Sequence, residues 1–189
     1  PVSNWLADAG PVRAALERVL GVYRRRALPA FERETFRAWF RARESSVADP
    51  VRRVVVYPDV YTNHVRTERG KAAVRTLEAL NVDVVVSDVA ASGRAPLSQG
   101  MIATAESKAH AAFADLEPYL EDGRDVVVIE PSGLAMFQRE YSRLLPTADH
   151  GRVADTAYEI VEYVYGLLEA GGDASVLSGP EPTDDADGV

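Results

Sequence analysis

The chain has 189 residues, 47% hydrophobic and 26% charged, which is ordinary for a soluble globular chain and suits one compact domain with appendages. A net charge of −8 argues against nucleic acid or anionic lipid as a general partner, since both need a positive surface. No apolar run approaches the roughly 20 residues of a membrane span, so no transmembrane segment is expected.

The opening Pro1-Val2-Ser3-Asn4-Trp5 has neither a basic start nor an apolar core, so no secretion signal is expected and a cytoplasmic location is the default. Of the 21 basic residues only Lys71 and Lys108 are lysines. An acid-rich, lysine-poor surface stays hydrated in strong salt and suits a halophilic source, although high-GC codon usage alone would also supply the arginines.

Val12, Leu16, Val19, Leu20 and Tyr23 recur at a helical period behind Pro11, predicting an amphipathic helix over 11–23. Arg24-Arg25-Arg26 reads as a solvated helix end. Residues 31–43 place Phe36, Trp39 and Phe40 in an aromatic stripe; if exposed, it would mark a partner surface. Residues 44–50 read as a polar linker, so 1–46 form a helical arm and linker ahead of an α/β domain over 47–172.

From Val51 onward strand, loop and helix repeat. Residues 51–57, 82–86 and 125–129 are near-continuous apolar runs of the kind that a parallel sheet buries on both faces. Helices are expected over 70–80, 100–120, 133–145 and 151–170. This alternation predicts an α/β fold with a small parallel sheet of about three to four strands flanked by helices. Residues 173–189 are polar and acidic, and are expected to form a disordered tail.

In such a sheet the loops 58–64, 90–94 and 130–133 meet at the carboxyl edge, where ligands bind. Asp59, Asn63, Ser92, Gly93, Arg94 and Ser132 are therefore candidates for holding a small anion, with the Arg94 guanidinium and helix-start amides as donors; a plain turn and helix cap at 92–94 is the competing reading. Other chemistry finds little support. The Gly-Lys-Ser/Thr phosphate loop, the Gly-x-Ser-x-Gly elbow and the Gly-x-Gly-x-x-Gly word are all missing. Asp59, His64 and Glu130 match no metal-ligand spacing, and His110 and His150 read as surface residues.

Three words in order carry a resemblance: Tyr57-Pro58-Asp59-Val60-Tyr61-Thr62-Asn63, then Gly93-Arg94-Ala95-Pro96-Leu97-Ser98-Gln99-Gly100-Met101, then Glu130-Pro131-Ser132-Gly133-Leu134-Ala135. Together, and over roughly residues 11–170, the chain resembles the cysteine-rich CCG domain. That domain occurs in heterodisulfide reductase, in the iron–sulfur subunit of anaerobic glycerol-3-phosphate dehydrogenase and, most similarly, in the FAD-linked D-lactate or glycolate oxidases. The resemblance implies an oxidoreductase-related module beside a flavoprotein subunit or domain, in a system that can associate peripherally with a membrane respiratory complex. It also implies cysteines at positions occupied here by Val60, Ala91, Ser92 and Gly133. The sequence contains no cysteine, so no iron–sulfur cluster is expected in this chain; the resemblance implies that FAD sits in a partner or upstream domain, and no catalytic set is expected here. Two readings stay open: a cluster-less remnant or fragment retained for assembly or docking, and a free-standing anion-binding module.

Overall fold

The structure, a computed structural model, describes Trp5 and residues 9–177 except positions 24, 27, 45, 46 and 90. Strands β1 (Arg52–Tyr57), β2 (Val82–Val86), β3 (Asp125–Val128) and β4 (Ala157–Glu159) form one sheet in the order β2-β1-β3-β4, all parallel. The first three match the apolar runs within a residue. Successive side chains of a strand point to opposite faces. Val55, Tyr57, Val126 and Val128 enter one core, while Val54, Val56 and Val127 enter the other.

The helices in chain order are α1 (Gly10–Leu20), α2 (Phe36–Arg41), α3 (Val60–His64), α4 (Thr67–Ala79), α5 (Arg94–Ser98), α6 (Ile102–Glu121), α7 (Pro131–Gln138), α8 (Thr147–Ala154) and α9 (Ile160–Glu169). Helix α6 presents Ala105, Ala109, Ala112, Phe113 and Leu116 to the first core, joined by Met136 and Phe137 of α7. The second core is closed by Val74 and Leu77 of α4, Tyr163 of α9 and Phe36 of α2. Both faces are thus covered, as an all-parallel sheet requires.

Two expected helices are interrupted. The stretch 133–145 forms α7 and then a 3-10 turn at Glu140–Arg143, with Arg139 at the break (φ −116°). The stretch 151–170 splits around β4: Ala157 leaves the helical path to pair with Val126, and Glu159 starts α9 through a capping box with Glu162. The aromatic segment 31–43 is helical only over 36–41, where Thr35 Oγ1 accepts from Ala38 N at 3.1 Å.

The aromatic stripe turns inward. Phe36 is fully buried against Gly70 of α4, whose missing side chain makes room for the ring: a Cβ there would stand 2.7 Å from it. Trp39 stacks on Phe36, with Arg43, Arg75 and Lys71 over its ring at 4.6, 5.6 and 5.7 Å from its centroid. Helix α1 differs, since it buries no residue and leaves Val19 78% and Leu20 66% exposed. Arg25 and Arg26 are exposed and Arg24 lies outside the described residues. Ala174–Leu177 form a 3-10 turn, and the expected tail from 178 onward also lies outside them. Among the described residues no helix is long and apolar enough to cross a membrane.

Candidate functional site

The loops after β1, β2 and β3 enclose a cleft of about 500 Å³ at the carboxyl edge of the sheet. In the order β2-β1-β3-β4 this lies at the centre, where the crossovers from β1 and from β3 leave in opposite directions.

Its floor is the Ser92 peptide. Tyr57, the last residue of β1, accepts a hydrogen bond from Ser92 N at 2.9 Å, and Tyr141 Oη donates to Ser92 O at 3.0 Å. Phe137 lies edge-on to both rings, with centroids at 5.1 and 5.3 Å. Burial pushes both tyrosine hydroxyls up from their ordinary value. Gly93 follows with φ +88°, a conformation that side-chain-bearing residues rarely take, and a Cβ would sit 2.7 Å from the Ala105 carbonyl. The glycine fixes the loop against the first turn of α6 without lining the cleft.

The loop is also fastened from behind. Arg37 of α2 donates through Nε to Ser87 O at 2.8 Å and through Nη2 to Val89 O at 2.7 Å, and Arg41 pairs with Asp88. Arg41 and its hydrogen bond hold the Asp88 carboxyl below its usual value.

Of the candidate residues, Asp59, Ser92, Arg94 and Ser132 line the cleft. The Asp59 carboxylate is occupied as the cap of α3, accepting from Tyr61 N at 2.7 Å, Thr62 N at 3.2 Å and Thr62 Oγ1 at 2.5 Å. Asn63 is buried elsewhere: its Oδ1 accepts from Arg37 N at 3.1 Å and its Nδ2 lies 3.0 Å from His64 Nε2. Glu130 is exposed on the rim, His110 is exposed on α6, and His150 is half-buried with Nε2 3.0 Å from Gln138 O. Among the described residues no group of three metal-ligating side chains comes together.

Two lining arginines fall outside that candidate set. Arg66 and Arg69, from the junction of α3 and α4, face the same cleft as Arg94. The signal for them is positional: the first turn of the helix after a parallel strand stands at the same edge as that strand's loop.

Val60, Ala91, Ser92 and Gly133, which the resemblance assigns to cysteine, all line this one cleft. Iron–sulfur clusters are held by thiolates. Here the positions carry an isopropyl, a methyl, a hydroxymethyl and a hydrogen, and the sequence supplies no sulfur of cysteine, so the residues present do not fit such a group.

Over 84 residues the chain is 29% identical to one of the component chains of the anaerobic glycerol-3-phosphate dehydrogenase of Escherichia coli, in strain K12 and in O157:H7 alike. The match takes in 44% of this chain and spans about a fifth (21%) of the length of those relatives. No protein-family model matches, and no solved structure matches significantly.

Proposed function

We propose that the chain is a cluster-less counterpart of the iron–sulfur-type module of a flavin-linked oxidoreductase, acting on glycerol 3-phosphate or on a 2-hydroxy acid such as D-lactate or glycolate. Its role is assembly or docking beside a flavoprotein, not electron transfer. The observation that carries this reading is the convergence of Val60, Ala91, Ser92 and Gly133 on one cleft without a thiolate among them. The similarity to one chain of a multi-chain dehydrogenase supports a partner complex, and the uncovered apolar side of α1 supplies surface for one.

The test is to purify the chain from its native cells at their own salt concentration, identify co-purifying chains by mass spectrometry, and assay flavin and iron. A stoichiometric flavoprotein partner, with iron absent from this chain after separation, is the expected result. A monomer without a flavoprotein, or iron bound by this chain, would overturn the reading.

A further inference from the structure

Several arginines elsewhere in the molecule pair with carboxylates: Arg43 with Glu78 at 2.6 Å, Arg53 with Asp122 at 3.0 Å, Arg124 with Asp83 at 2.8 Å and Arg152 with Glu117 at 2.5 Å. Those of the cleft do not, and three of them gather in one place. Arg66, Arg69 and Arg94 line it together, all exposed, and none has an ion pair or side-chain hydrogen bond among the described residues. The nearby Asp59 carboxylate spends its oxygens on the start of α3.

We infer that this cleft is a binding site for a small organic phosphate monoester, held by Arg66, Arg69 and Arg94. Guanidinium forks match phosphate oxygens in geometry and charge, and a monoester dianion offers three terminal oxygens for three arginines. Ser92 and Ser132 line the same space, and Ser132 stands in the first turn of α7, where the helix end favours negative charge. The volume of about 500 Å³ exceeds the needs of inorganic phosphate and lies in the range of sites for small organic ligands. A second depression of about 280 Å³, sharing Arg94, Ser98 and Ser132 and walled by Leu97, Ala135, Met136 and Glu140, gives the ester group a largely apolar place to lie. Glu130 on the rim disfavours a ligand whose charge is spread over its whole length and suits one with its charge at a single end.

The inference stands apart from docking, because it uses the carboxyl edge of the sheet and not α1. Calorimetric titration of the purified chain with phenyl phosphate, inorganic phosphate and succinate at low ionic strength tests it. Phenyl phosphate is expected to saturate one site more tightly than either of the others. Arg69→Gln and Arg94→Gln are each expected to weaken it about 10-fold or more, with circular dichroism unchanged and with Arg18→Gln on α1 as the neutral control. Absence of saturable binding, equal affinity for succinate, or undiminished affinity in the Arg69→Gln, Arg94→Gln double variant would overturn it. None of these results bears on flavoprotein co-purification.

Discussion

The arm carries two helices with similar apolar patterning and opposite fates. Helix α2 drives Phe36 into a core and reaches through Arg37 to the backbone of the loop after β2. Helix α1, nearly twice as long, buries nothing and ends at Gly21 in a left-handed cap. Periodicity therefore identifies a helix and its apolar side, but what covers that side depends on a partner that periodicity does not name. In α2 the partner is a glycine of the same chain, Gly70, whose presence within a helix costs about 1 kcal/mol relative to alanine and is offset by the ring it admits.

The comparison breaks first at Phe36. Phe36→Ala removes a fully buried ring and is expected to lower unfolding stability by about 3–5 kcal/mol in a denaturant titration; a loss under about 1 kcal/mol would mean that α2 is no better anchored than α1. Arg37→Met keeps most of the stem and removes two charge-assisted bonds. It is expected to cost about 1.5–3 kcal/mol, with faster amide hydrogen exchange at 87–93 than elsewhere in the sheet. Uniformly faster exchange would place the effect in the core and not in the loop. At the small end, Val19→Asp with Leu20→Asp in α1 should change the stability of the isolated chain by less than about 0.5 kcal/mol per substitution. A larger loss would show that α1 is covered in solution.

The same distinction explains how far the sequence could be read. Strands β1 to β3 were legible because a sheet buried on both faces needs unbroken valine-rich runs, and 54–56 and 126–128 are such runs. Strand β4 was not, because three residues are too few to show a period of two and Val153, Ala157, Ile160 and Val164 happen to keep helical spacing. The break at Arg139 carries no glycine or proline to announce it. At the cleft, the strand ends placed the three loops, and with them Asp59, Ser92, Arg94 and Ser132. They did not orient side chains within the short helix α3, where Asn63 turns inward to receive Arg37 N. Arg66 and Arg69 lie outside the loop words and reach the cleft only through the turn between α3 and α4.

The Ser92 peptide, held at its N–H by one buried tyrosine and at its C=O by another, has given up its conformational freedom before anything enters the cleft. Whatever the cleft accommodates must be met by adjustment of the exposed walls, the arginines on one side and the Glu130 turn on the other. The site therefore has a rigid floor and a pliable rim: the floor sets where a ligand rests, and the rim sets how large it can be.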